Sequence, residues 1–224
     1  SLDVKRVSGW GTCKIYHDIN KVREAATEML KDKERFKDCP NYQHDIADVV
    51  RQTLTDSTYY LIKDIAASYE KKDMAAFKAQ YTTFLGILSD LNRLLSQVGL
   101  FKLEKWTNSA RNICDEVPGT TEADRDWMEW NARTLVTVWG PEQCAEQGRL
   151  HDYSSRQWGG MLNDFYLARW EMFFKALEEG KTITSPEWFK WEENWTRSKT
   201  ITKVAEENAV DVACELYDKY FSKQ

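Results

Sequence analysis

The chain has very little glycine or proline: ten Gly and four Pro in 224 residues. That scarcity excludes collagen-like repeats and low-complexity linkers, and it leaves few places where helices must stop. The five cysteines, Cys13, Cys39, Cys114, Cys144 and Cys214, are odd in number, scattered and without a CxxC pair. Spacing of that kind builds neither a disulfide framework nor a zinc site. The three histidines, His17, His44 and His151, lie on different segments with no ligand spacing among them, so no metal site is expected. No run approaches the roughly 18 to 20 apolar residues of a membrane span. The glycine-rich phosphate loop, the Gly-x-Ser-x-Gly elbow and the HExxH signature are all missing. A net charge of −5 with both signs interspersed lacks the basic stripe that a nucleic-acid backbone requires, so no nucleic-acid partner is expected. No signal-peptide pattern opens the sequence, and Ser1-Leu2-Asp3-Val4 reads as a domain boundary.

What is abundant is aromatic surface: ten Trp, ten Tyr and nine Phe. Such content serves a large core, a sugar-stacking surface, or both. Apolar positions recur at three- and four-residue steps, and no segment alternates with period two. The spacing predicts an all-α fold, a bundle or array of about seven to eight helices with no sheet. A short helix is expected over residues 18–31, capped by Asp18, and a long one over 42–71 after the Cys39-Pro40-Asn41 turn. A third is capped by Asp73 and stops near Gly99; a fourth covers about 100–115. A fifth opens at the capping-box pair Thr121/Asp124 and closes at Trp139-Gly140-Pro141. A helix over 150–178 carries Trp158, Met161, Leu162, Phe165, Trp170, Phe173 and Leu177 on one broad face. Gly159-Gly160 inside it would cost about 1 kcal/mol each relative to alanine, which a close helix approach would compensate. Ser185-Pro186-Glu187 reads as a helix start with Ser185 as cap. A last helix carries Val204, Val212, Leu216 and Tyr220. The sequence reads as one helical domain over 18–224, preceded by a linker over 1–17.

Two constellations invite a chemical reading. Trp188, Trp191 and Trp195 form an i, i+3, i+7 stripe that suits sugar stacking, but such stripes more commonly line a core. Asp45 and Asp48 stand one turn apart on one helix. Glycosidase chemistry needs two carboxyls about 5 to 10 Å apart, usually from separate elements. A solvated face, or an ion pair to Arg51, is the simpler role. Trp139 and Trp158 are assigned to the core.

Local words in the sequence say more. Val138-Trp139-Gly140-Pro141, followed by the run from Leu150-His151-Asp152-Tyr153 through Arg156-Gln157-Trp158-Gly159-Gly160 to Asp164-Phe165-Tyr166-Leu167-Ala168-Arg169-Trp170, resembles the L-W-G-P, D-Y-A-x-K-Q-W-x-G-L, D-Y-Y-x-P-R-W stretch of the family 89 glycoside hydrolases, the α-N-acetylglucosaminidases. The segment from Tyr42 through His44-Asp45 and Asp48 to Arg51-Gln52 resembles the family's Y-x-Y-D-L-x-D-x-x-R-Q. Lys5-Arg6-Val7-Ser8 is similar to the R-R-P-S that closes the family's catalytic barrel, and Ile15-Tyr16-His17 stands where members carry I-W-Y. Ala168 replaces the proline of Y-x-P-R-W, Tyr16 a tryptophan and His44 a tyrosine.

The resemblance implies the C-terminal helical domain of an exo-acting, retaining α-N-acetylglucosaminidase. In that family two glutamates of an upstream (β/α)₈ barrel do the chemistry, so no catalytic residue, cofactor or metal is expected here. The partners implied are the barrel of the same polypeptide, docked on an apolar aromatic face, and a glycan ending in α-linked N-acetylglucosamine. The family's compartments, periplasmic or secreted in bacteria and lysosomal in eukaryotes, are implied with it. The competing expectation is a free-standing helical module that binds protein or glycan. The residues expected at the sugar are Tyr16 first, then Asp45, with Tyr42 and His17 behind them. Tyr16 lies about ten residues past Lys5-Arg6, at most about 35 Å of chain, and its ring can cover a hexosamine face. Asp45 is expected near a helix start, where the dipole favours a carboxylate. Otherwise Tyr16 packs an interdomain joint and Asp45 caps its helix.

Overall fold

The computed structural model describes Leu2, residues 14–143, Asp152 and residues 154–222. The Lys5-Arg6-Val7-Ser8 motif, most of the expected linker, Cys13, Cys144, Leu150, His151 and Tyr153 lie outside the described residues. Within the described residues the chain is helical with no strand, and the one isolated bridge pairs Lys102 with Gly159. Among the described residues nine α-helices are present, eight of them with seven residues or more. No described helix is long and apolar enough to cross a membrane. The chain folds as two compact units, one from Ser1–Leu100 with Val204–Gln224, the other from Phe101–Lys203.

The first unit is built on α3 (Pro40–Glu70), which packs against α4 (Met74–Leu95), α1 (Ile19–Lys31) and α9 (Ala209–Phe221). A four-residue helix, α2 (Lys33–Phe36), joins α1 to α3. Asp18 caps α1 by accepting from the Asn20 amide, and Asp73 caps α4 by accepting from Ala76, as the sequence predicts. Proline opens α3, where its missing N–H costs nothing and its fixed φ suits the first turn. Helix α3 is 31 residues long, about 46 Å at 1.5 Å per residue. Ile46, Val50 and Leu54, at four-residue steps, are wholly buried, and Phe77, Tyr81, Phe84, Leu88, Leu91 and Leu95 form the matching stripe of α4. Arg93 of α4 clamps Glu207 and Glu215 through paired guanidinium–carboxylate contacts.

The second unit pairs α5 (Leu103–Asn112) with α6 (Glu122–Leu135), and α6 with α8 (Ser185–Arg197). Between them in sequence, a π-helical turn (Leu162–Leu167) leads into α7 (Ala168–Glu178). Its core is Leu103, Val136, Met161, Phe165 and Trp195, with Trp158, Tyr166, Trp191 and Ile201 packed around it. Of the three stripe tryptophans, Trp195 is thus a core residue and Trp191 packs against that core half-buried.

Several boundaries differ from expectation. Thr184, not Ser185, caps α8, in a full capping box with Glu187; the hydroxyl that matters sits three residues before the carboxylate that returns the bond. Helix α9 begins at Ala209, capped by Asn208, so Val204 precedes it in non-helical chain. Gly159-Gly160 do not lie inside a helix. Gly160 has φ +89° and residues 155–158 are non-helical. Here the chain runs against the start of α5: the Gly159 amide donates to Phe101 O at 2.7 Å, and Leu103 N donates to Gly159 O at 3.0 Å. A Cβ on Gly160 would stand 2.8 Å from Ile201 Cγ2, so both the positive φ and the close approach demand glycine. Trp139 is not a core residue on a helix. Helix α6 ends at Leu135, and Trp139 sits in a turn with φ +63° and 39% exposure. Trp158 does pack on the core, but from non-helical chain.

Candidate functional site

In the first unit, the polar residues of α3 form a line. Asp45, Asp48, Gln52 and Asp56 follow one another at steps of three, four and four, which keeps them on one helical face. Asp56 is the exception among them in being only 4% exposed. A buried carboxylate is tolerated only when its lone pairs are satisfied. Oδ2 of Asp56 takes a 2.8 Å bond from His17 Nε2, and Oδ1 takes a 2.8 Å bond from Gln52 Nε2. Because a carboxylate only accepts, His17 carries its hydrogen on Nε2 and turns Nδ1 the other way. The His17 ring is 46% exposed, so one edge is anchored in the protein while the other faces solvent. Beside it, Tyr16 is 80% exposed, with the Lys14 ammonium 5.1 Å from its ring centre.

The four residues expected at a sugar fall in three environments. Tyr16 and His17 are adjacent and accessible, His17 pinned to α3. Asp45 stands on the same α3 face, exposed, with Oδ1 3.0 Å from His44 Nδ1. It is the sixth residue of α3 rather than a first-turn residue. The dipole argument for it therefore fails, since that field fades within the first turn, and so does a capping role. Tyr42 is turned into its own unit: its hydroxyl donates to Met29 O, its ring packs on Phe36 at 5.6 Å, and burial raises its phenol pKa. Asp48 pairs with Arg51. The residues not singled out beforehand are Gln52 and Asp56, although their spacing from Asp45 and Asp48 was visible.

In the second unit the long motif forms a buried electrostatic knot. Arg169 donates from Nη2 to Asp152 Oδ2 at 2.6 Å and from Nη1 to Glu192 Oε1 at 2.7 Å, and the Tyr166 hydroxyl donates to Asp152 Oδ1 at 2.7 Å. The Arg169 guanidinium also covers the Phe165 ring at 4.9 Å. Burial opposes the Arg169 charge, but the two carboxylates outweigh it and raise its pKa. Burial, then Asp152, pushes the Tyr166 phenol well above its usual range. Both groups are locked in one protonation state across physiological pH. The arrangement joins residue 152, the π-helical turn, α7 and α8, and nothing in it is poised for proton transfer.

Residues 3–219 match the family model described as the α-N-acetylglucosaminidase (NAGLU) C-terminal domain. The human α-N-acetylglucosaminidase is 27% identical over 175 residues, which is 78% of this chain and 22% of the human protein. Two structures of a family 89 glycoside hydrolase from Clostridium perfringens are similar at 30% identity. One, with bound 2-acetamido-1,2-dideoxynojirimycin, has a TM-score of 0.85 over 98% of this chain and 26% of the other. The second, in complex with its substrate GlcNAc-α-1,4-galactose, has a TM-score of 0.84 over 98% of this chain and 25% of the other. The chain thus spans about a quarter of the length of these relatives.

Proposed function

Since this chain belongs to the family of α-N-acetylglucosaminidase C-terminal domains, we propose that it serves as the pocket-completing accessory domain of an exo-acting, retaining α-N-acetylglucosaminidase. In this reading it packs on a catalytic barrel of the same polypeptide and walls the site that receives terminal α-linked N-acetylglucosamine. It contributes positioning contacts and no catalytic group.

The single observation that supports the reading best is the Tyr16–His17 pair. Tyr16 offers an exposed ring of the kind that covers the apolar face of a hexosamine. His17 beside it is held by the buried Asp56, so its outer nitrogen is preorganised rather than free to rotate. Asp45 lies on the same α3 face and supplies a carboxylate able to accept from sugar hydroxyls. Tyr42 takes an indirect part, fixing α3 against α1 through Met29.

The test is kinetic and uses the full-length enzyme. Tyr16→Ala and Asp45→Asn are expected to lower kcat/KM for an aryl α-N-acetylglucosaminide by about tenfold or more, roughly 1.4 kcal/mol, with melting temperature unchanged. Wild-type kinetics in both variants, or activity lost only in step with stability, overturns the pocket-wall role.

A further inference from the structure

The second unit carries a cleft of about 250 Å³ between α6 and the C-terminal end of α8. Its walls are Asp126, Trp127, Glu129 and Trp130 from one side, and Arg197 and Lys199 from the other. Trp127 is 57% exposed, an unusual place for the largest apolar side chain. The Trp127 and Trp130 rings stand 6.3 Å apart at 53°, so they form two sides of a corner rather than a stack. Trp130 is already covered by the Arg197 guanidinium at 5.1 Å. Trp127 is the platform that remains.

We propose that this cleft binds one neutral hexose ring, stacked on Trp127 with its hydroxyls bonded to Asp126 and Lys199. Size, shape and charge point to such a ring, independently of the pocket-wall role. The volume falls below the roughly 300–1,000 Å³ of sites for drug-sized ligands, which suits a single ring. Indole faces pack against the C–H face of a pyranose and leave its equatorial hydroxyls pointing outward. The charges are balanced and already engaged: Lys199 bonds Asp126, Arg111 holds both Asp126 and Glu129, and Arg197 bonds Glu193. An anionic ligand would have to displace a carboxylate from its cation, and a cationic ligand the reverse. A neutral polyol displaces neither. It uses the valences that remain, since a carboxylate has about four acceptor positions and an ammonium three donors.

The experiment is a tryptophan-fluorescence titration of the 224-residue chain with N-acetylglucosamine, galactose, glucuronate and glucosamine. A saturable change is expected with the two neutral sugars and an affinity at least about tenfold weaker with the charged ones. Trp127→Ala is expected to abolish the response while circular dichroism stays helical. Lys199→Gln is expected to weaken it several-fold, and Tyr60→Ala, an exposed aromatic of the other unit, to leave it unchanged. No saturable change with either neutral sugar, an undiminished response in Trp127→Ala, or tighter binding of a charged sugar overturns the proposal.

Discussion

His17 Nε2 and Asp56 Oδ2 meet at 2.8 Å across 39 residues of sequence. This bond ties the segment that precedes α1 to the middle of α3. Asp56 is buried and accepts only from His17 and Gln52 among the bonds described for it. Replacing it removes the acceptor of two donors at once. Asp56→Ala is expected to cost about 1–3 kcal/mol, read as a lowered melting temperature by calorimetry. In the full-length enzyme, His17→Ala is expected to lower kcat/KM beyond any loss of stability. Unchanged stability in Asp56→Ala would show that the bond does not hold the segment.

Arg169 neutralises two carboxylates, and Glu192 is almost wholly enclosed. Arg169→Met keeps the volume but strips Asp152 and Glu192 of their cation. Breaking one side of a buried ion network costs about 3–5 kcal/mol. A fall in denaturation midpoint of that size is expected, without any change in substrate preference of whatever enzyme remains folded. Full stability in Arg169→Met would remove the knot from the account of the second unit.

Gly160 combines φ +89° with a 2.8 Å approach of any added Cβ to Ile201 Cγ2. Gly160→Ala is expected to destabilise by about 1–3 kcal/mol through backbone strain and this clash together. Adding Ile201→Ala relieves the contact but not the φ. The double variant should therefore recover only the share of the loss that a double-mutant cycle assigns to steric overlap, and keep the share due to φ. Complete recovery would make the backbone conformation irrelevant.

Arg93 depresses the pKa of Glu207 and Glu215 below the ordinary 4.5 of a glutamate, chiefly through its hydrogen bonds to them. The folded state binds those protons less tightly than the unfolded chain. The stabilisation is complete above the unfolded pKa, about 4.5, and is lost as pH falls through the lowered folded values. Wild-type melting temperature should drop more steeply below pH 4.5 than that of Arg93→Met. Parallel acid limbs for the two proteins would exclude the clamp as a source of acid sensitivity.

The 224-residue chain by itself is expected to release no product from an aryl α-N-acetylglucosaminide. The family resemblance puts both catalytic glutamates upstream, and the chain spans only a quarter of its relatives. Turnover by contaminant-free protein would refute the accessory role.

The sequence by itself determined the helical class, the caps at Asp18, Asp73 and Thr121, and, through the long motif around Trp158 to Trp170, the family. These are local signals: a side chain three residues from the amide it caps, or apolar residues three and four apart, are read within one or two turns. The tertiary structure decided the rest. It took Gly159-Gly160 out of a helix because Phe101 and Leu103 offered the backbone partners there. It put Trp139 in an exposed turn because α6 had already ended. It turned Tyr42 inward to Met29 and left Tyr16 outside. It also buried Asp56 under His17, a pairing that no periodicity announces. Contacts between residues 39 or more positions apart depend on how helices pack, and packing is set by the summed shape of many side chains rather than by any short pattern.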